Sequence, residues 1–487
     1  MNKDSLVKIL GTGNVYQDAE ILEAYSKDIS FVNPMKPRYV VKPKNKEAIQ
    51  ELVKLANETQ TALIPVSSGA PHFRGDTVPS VAGSIIVDLS DMNKIVNVDR
   101  PRRVAMVQPG VKFEELIRAT AKEGIRINMP LLPRSSKTVV GSMLEREPVT
   151  MPRYQWDVED PMACIEVIFG NGEEFRTGQS AGPGTVEEQW SVGGMQKAPA
   201  GPFIASWHRL VQGAQGSVGI VTWASLRCEL LPSLQEPFLV NSNNLNKLIE
   251  MASWLIRLRT VNECFILNST NLAAMFADKW PEDYHALKAD LPDWTLFYVL
   301  AGYEFYPEER ISSNIQTISS LCQRLGTEPV KSAGGVSADE MLKMVQKPCA
   351  DPYWKLRYKG ASEDILYLTL NNKIEGQIRI MNELAEKAGY PVNDLGVYIQ
   401  PVVQGTGVHC EFTAFYDPQQ PKKAAQVRGL AQTATKTLMN NGAFFSRPYG
   451  ENGKMIVNRD AASVLLLNKM KDIFDHNKIM NPGKICW

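Results

Sequence analysis

The alternation of apolar and polar positions divides the chain into short strands and amphipathic helices. Residues 38–57, RYVVKPKNKEAIQELVKLAN, predict a strand, a turn and a helix whose Ile49, Leu52, Val53 and Leu55 recur at helical spacing. TALIPV (61–66) predicts a short apolar strand, SIIVDLSDMNKIVNVD (84–99) two strands around a turn, and VAMVQPG (104–110) another strand. FEELIRATAKEGI (113–125) predicts a helix with a glycine stop. CIEVIFGNGEEFRTG (164–178) reads as a hairpin turning at Asn171-Gly172, and SVGIVTWASLRCELLP (217–232) as an apolar strand region closed by Pro232. Further on, helical runs (245–261) alternate with strand-like ones (294–305 and 396–403), and a helix and a turn end the chain. The first 230 residues therefore predict one α+β domain, and roughly 235–435 a second, built on an antiparallel sheet.

At 487 residues the chain is too long for one ordinary core, so two or three domains are expected. With 44% apolar and 22% charged residues the composition is that of a soluble globular protein. Lys+Arg and Asp+Glu both number 53, which gives no electrostatic footprint for nucleic acid or a membrane surface. No apolar run approaches bilayer length, and the N-terminus lacks the basic start and apolar core of a secretory signal, so cytoplasm is the default expectation. Seven widely spaced cysteines (164, 228, 264, 322, 349, 410 and 486), with no CxxC, argue against a disulfide framework or a cluster site. The five histidines are scattered singly, so no metal site is expected.

Candidate chemistry lies in the turn-rich stretches. GTGN (11–14) lacks the third glycine and the acidic partner of a dinucleotide-binding turn, and reads as a plain loop. PVSSGAPHFRGDTVP (65–79) follows an apolar strand, and Gly69 and Gly75 let its backbone approach a ligand closely. Such a loop serves either as an anion-holding concavity of backbone N–H groups or as a structural turn. LLPRSSKTVVGSMLERE (131–147) and QGAQGSVGIVT (212–222) are also rich in Gly or Ser. Three such loops in one α+β domain would jointly suit a long phosphorylated cofactor.

The order of these loops resembles the FAD-binding oxidoreductases of the vanillyl-alcohol oxidase and p-cresol methylhydroxylase type, a superfamily shared with D-lactate and glycolate dehydrogenases. The resemblance runs through nearly the whole chain. It is carried by PVSSGAPHFRGDTVP, VAMVQPGVKFEELIRATAKEGI, VVGSMLERE, EEFRTGQSAGPG, GSVGIVT and the ending IMNPGKICW, in that order; NVYQDAEILEAYSKD looks more like the hydroxyacid branch. It implies a two-subdomain FAD-binding domain over 1–235, an α+β cap over 236–435 and a C-terminal segment, 436–487, that returns to the FAD domain. It also implies FAD as cofactor, held by Pro65, Val66, Ser67, Ser68, Gly69, Ala70, Pro71, His72 and Gly75 of the first loop. Ser135, Ser136, Thr138, Gly141 and Ser142 of the second loop would join them, with Gly219, Ile220 and Val221 of the third, and with Arg447 and Lys484.

Departures from the family pattern bear on the substrate. The family's loop tyrosine is replaced by Arg74, and AFFSRPYG places Ser446 at a second tyrosine while keeping Arg447, with Tyr449 two residues on. Two arginines suit an anionic substrate, since guanidinium grips carboxylate in bidentate fashion, although Arg74 can instead serve FAD phosphate or a nearby acid. Glu145 falls where the family has an aspartate close to the flavin, suited to taking a proton; its alternative is a salt bridge to Arg146. The position of the family's FAD-linking histidine falls at Gly396, which cannot form that bond, so noncovalent FAD is expected; Tyr398 is near but offset. His409 matches a family histidine, whereas Val402 and Gly405 replace the first histidine and the aspartate of the hydroxyacid pattern.

The resulting expectation is an FAD-dependent oxidoreductase that takes a hydride from an activated carbon of an alcohol or alkylphenol-type substrate. Glu145 and His409 would handle protons, Arg74 and Arg447 would hold the substrate anion, and a separate acceptor or partner subunit would take the electrons. The resemblance also implies a homo-oligomer. Two alternatives stand beside this: a D-2-hydroxyacid dehydrogenase, and a flavin-carrying electron-transfer subunit of a larger complex.

Overall fold

The computed structural model describes residues 1–152, 160–201, 206–402 and 405–485, so Val403 and Cys486 lie outside it. Its sheets follow the predicted pattern. In the first, Tyr39–Val41 and Leu63–Val66 both run parallel to Ile85–Asp88, which lies between them, and Val15–Tyr16 pairs antiparallel at the edge. The crossover helix Lys46–Thr59 starts where the Asn45 side chain accepts the Ala48 N–H. It buries Ile49, Leu52, Val53 and Ala56 against the sheet and ends at Gln60 in the left-handed region. The 65–79 loop leaves the carboxyl end of Leu63–Val66, the side on which open parallel sheets bind ligands.

The second sheet is antiparallel, in the order Ile95–Asp99, Val104–Val107, Gly219–Leu230, Met162–Phe169, Glu174–Arg176, with Ile125–Ile127 also on Gly219–Leu230. The two strands expected around one turn in 84–99 thus belong to different sheets. Ile85–Asp88 is buried throughout, as a central parallel strand must be, whereas Ile95–Asp99 is a half-buried edge strand. The 164–178 hairpin forms, with Ile168 opposite Glu174 and Gly172 at φ +87° in its turn.

The third sheet has seven antiparallel strands in the order Pro329–Val330, Leu234–Ser242, Trp294–Gly302, Cys264–Asn268, Leu395–Val402, Gly407–Tyr416, Ala361–Leu370. Val408, Cys410, Phe412 and Ala414 enter the core beneath the helices Leu245–Arg257, Ile374–Lys387 and Pro421–Asn440. Period-2 alternation therefore turns His409, Glu411 and Thr413 to the opposite face. After Pro421–Asn440 the chain returns: Met480 bridges Leu63, and Asn481 donates to the carbonyls of Asp76 and Gln215. The cysteines at 164, 228, 264, 322, 349 and 410 are buried free thiols. Among the described residues no helix is long and apolar enough to cross a membrane.

Candidate active site

The three Gly/Ser loops meet. Gly69 N donates to Ser136 O (3.0 Å), and Ser136 Oγ donates back to Ala70 O (2.8 Å). The hydroxyls of Ser67 and Ser68 lie 3.0 and 3.1 Å from Thr138 Oγ1. Gly141 opens the way for this contact: a Cβ there would stand 2.8 Å from Thr138 Oγ1 and 3.0 Å from Ser67 Oγ. The third loop closes on the first so tightly that a Cβ on Gly216 would fall 2.4 Å from Pro65 Cγ. Behind the first loop, the buried Lys484 donates to Gly75 O (2.7 Å) and Val78 O (2.8 Å), and Gly75 N donates to Asp28 Oδ2 (2.6 Å).

Between these loops and the exposed-from-core face of the seven-stranded sheet lies a cavity of about 1580 Å³, its mouth included. Of the residues expected at the cofactor, Pro65, Val66, Ser67, Ser68, His72, Gly141, Gly219, Ile220, Val221 and Arg447 line it. Gly69, Ala70, Pro71, Gly75, Ser135, Ser136, Thr138, Ser142 and Lys484 do not. The amides of Gly69 and Gly75, where the loop was expected to approach a ligand closely, are used by Ser136 and Asp28. Ser135 faces away, donating to Asp351 (2.9 Å), and Ser142 donates to Glu147 (2.6 Å). Burial, with Arg134 and Lys137 nearby, lowers the His72 pKa to about 3, so its ring is neutral on the cavity wall.

One end of the cavity is densely charged. Glu145 pairs with Lys137 rather than with Arg146, whose guanidinium reaches Ser446 O. Arg74 lies 3.7 Å from Asp364, so the acid partner that was one of its two readings is present. Lys355 Nζ binds Asp364 (2.8 Å) and Glu411 (2.5 Å). His409, expected to face the substrate, is buried and does not line the cavity; its Nε2 lies 3.4 Å from Oε2 of Glu411, which does. Burial opposes the Glu411 charge, but Lys355 and His409 hold its carboxyl well below the ordinary value. Burial lowers the His409 pKa, against the pull of Glu411, which keeps the ring neutral near pH 7. Asp76 is raised to about 6 by burial and by the charges of Glu145 and Asp28. Tyr398 lines the cavity and its hydroxyl donates to Gln400 (2.8 Å).

Arg447 differs from the other cations. It is 5% exposed and lines the cavity, yet among the described residues its guanidinium has no carboxylate within 4 Å and no hydrogen bond. Burial and the neighbouring Arg74 lower its pKa, against the longer-range charges of Glu147 and Glu411. Lys137, Glu147, Lys355, Asp364 and Glu411 were not singled out in the sequence. Glu411 had a local signal, since it shares a strand face with His409 two residues away. Lys355 and Asp364 had none: Asp364 reaches the site through the pairing of Ala361–Leu370 with Gly407–Tyr416, and Lys355 from the short helix Trp354–Arg357 that precedes that strand.

Residues 37–178 match the FAD binding domain family. The chain is 23% identical over 486 residues to an uncharacterized FAD-linked oxidoreductase of Mycobacterium tuberculosis, covering 98% of this chain and 97% of the relative. It is 22% identical to a glycolate oxidase subunit of Bacillus subtilis, covering 99% and 96%. The structure of p-cresol methylhydroxylase with substrate bound superposes with a TM-score of 0.84 at 18% identity, covering 99% of this chain and 96% of that one. Fold, cavity and relatives define an FAD-dependent oxidoreductase. Its α+β architecture is that of p-cresol methylhydroxylase, and residues 37–178 carry its FAD binding domain.

The cavity fits that cofactor. Val66, Ile220 and Val221 give it an apolar wall, while Ser67 and Ser68 bring hydroxyls and close backbone.

Proposed function

We propose that this oxidoreductase dehydrogenates a small anionic substrate, a carboxylate or a phenolate, at a carbon bearing a hydroxyl or lying beside an aromatic ring. The observation that carries the reading is Arg447: a buried, unpartnered guanidinium on the cavity wall is costly unless a ligand supplies the counter-charge. FAD, when bound, supplies the hydride-accepting chemistry. This chain's residues do the rest. Arg447 grips the anion, with Tyr449 beside it, while Arg74 is steadied by Asp364. A substrate hydroxyl that becomes a carbonyl must release its proton as the hydride leaves. The carboxylate of Glu145, held by Lys137 on the cavity wall, is its acceptor, and the neutral His409, buried behind Glu411, takes part only through that carboxylate. The division into an FAD-binding part (1–235), a cap (236–435) and a returning segment (436–487) belongs to the same reading, as does noncovalent FAD with Gly396 at the linking position. So does transfer of the electrons to a separate acceptor.

A D-2-hydroxyacid is the second reading, favoured by the nearly full-length similarity to a protein named as a glycolate oxidase subunit. Both are tested by anaerobic bleaching of the flavin with a panel of 2-hydroxyacids, alkylphenols and neutral alcohols. Anionic substrates should bleach it, and Arg447→Met should weaken their binding by roughly 10–100-fold, the worth of a hydrogen bond to a charged group. Bleaching by neutral alcohols alone, indifferent to Arg447, would overturn the anionic reading.

A further inference from the structure

A second, smaller hollow of about 640 Å³ adjoins the first, and the two share Phe73, Arg74, Asp364, Arg447 and Tyr449. It runs past Ala361–Leu370, the edge strand of the seven-stranded sheet, beside the helix Pro421–Asn440. Its inner end is therefore the unpartnered Arg447. At its outer end Arg428, on that helix, grips Glu451, on the single turn Gly450–Asn452, with both guanidinium arms: Nε to Oε2 at 2.7 Å and Nη2 to Oε1. Gln432 Nε2 lies 3.5 Å from the same carboxylate. Arg428 is half exposed, so this ion pair faces solvent on one side and the hollow on the other. Along the hollow Glu363 is raised to about 8 by burial and by Asp364, so it is neutral at pH 7 and does not repel an anion.

The geometry points to a gated entry: we propose that this hollow is the route by which a small carboxylate reaches Arg447, with Arg428 as an outer anion site and Glu451 as the internal carboxylate that the incoming one displaces. The inference rests on the anion-binding role of Arg447. Its chemistry is an exchange of like for like. A guanidinium fork that holds one carboxylate bidentately can hold another, so admission breaks no pair without replacing it. A neutral or cationic molecule offers Arg428 nothing in return for Glu451 and is held outside.

The test uses the FAD-loaded protein and reporter thiols inside the hollow. Ala431 and Thr435 line it one turn apart on Pro421–Asn440, and both are buried. Ala431→Cys, and Thr435→Cys as a second reporter should the first fail to retain FAD, are labelled with an anionic sulfonatoethyl and a cationic aminoethyl methanethiosulfonate. Labelling is followed by mass spectrometry against the unsubstituted chain as background. Adding Glu451→Gln should speed anionic labelling about fivefold, the factor for an exposed ion pair of about 1 kcal/mol. Arg428→Ala should abolish the preference for the anionic reagent. Labelling that ignores both substitutions, or that favours the cationic reagent, overturns the gate. These rates are separate from the Arg447→Met affinity. Loss of the Arg447 effect with the labelling response intact would sink the substrate reading, and the reverse result would sink the gate alone.

Discussion

Glu363 shows how one residue's surroundings set a pH dependence. Half-buried beside Asp364, its carboxyl is raised from 4.5 to about 8 by desolvation and by that neighbouring charge. As pH rises, the unfolded chain releases this proton before the folded one does. The stability it contributes is complete below about pH 4.5 and is lost as pH climbs through 8, by at most about 1.4 kcal/mol per pH unit. Glu363→Gln removes the titration. The variant should unfold at higher denaturant than the parent at pH 8, by up to roughly 4 kcal/mol, and the gap should close toward pH 5. A gap that persists at pH 5 would trace the effect to packing instead. This behaviour was not legible in the sequence. SED in a strand gives no sign that its first carboxylate is half-buried next to its second. Arg447, by contrast, was legible as a retained family arginine, but its lack of a partner is a fact of three dimensions.

At the scale of elements, the cofactor loops act as one stitched unit, and Lys484 is its rear anchor. Its ammonium satisfies the carbonyls of Gly75 and Val78 from a segment more than 400 positions away. Lys484→Met would leave both carbonyls buried without a donor, at about 1–3 kcal/mol each. The first loop should then lose its set position, so the variant should release FAD on gel filtration and bind it back about tenfold more weakly. If FAD retention is unchanged while the melting temperature falls, Lys484 supports only the fold. The loops themselves were visible as sequence because turn chemistry is local: Gly69, Gly75, Gly141 and the serines stand out within a dozen residues. What each does was less visible. A serine that only stitches loop to loop, such as Ser136, and one that also lines the cavity, such as Ser67, are alike in the chain. They are told apart only by which way the backbone turns.

For the whole molecule, the question is how segments distant in sequence hold one cavity. The seven-stranded sheet contributes through Asp364, which meets Arg74 of the first loop, and Glu411, the two joined by Lys355 from the helix Trp354–Arg357, and Arg126 joins the second sheet to Glu263 at 2.8 Å. The returning segment contributes a fully buried pin. Lys471 donates to Ser217 O in the third glycine loop, to Asp475 Oδ2 (2.6 Å) and to Met480 O (2.8 Å). Asp475 in turn accepts the N–H groups of Ile479 (3.0 Å) and Met480 (2.8 Å). The pin thus ties the helix Ala461–Phe474, the cofactor loop and the strand-bridging Met480 at one point. Lys471→Met leaves the Asp475 carboxylate buried without its cation, a loss of about 3–5 kcal/mol, whereas Lys471→Met with Asp475→Leu removes both charges and should recover part of it. If the pin couples cofactor binding to the fold, FAD release and loss of secondary structure should move down together in the single variant, as read by flavin fluorescence and circular dichroism in the same melt. If both temperatures are unchanged, the third loop holds its place without Lys471. The coupling would then run through the first loop and Lys484 instead.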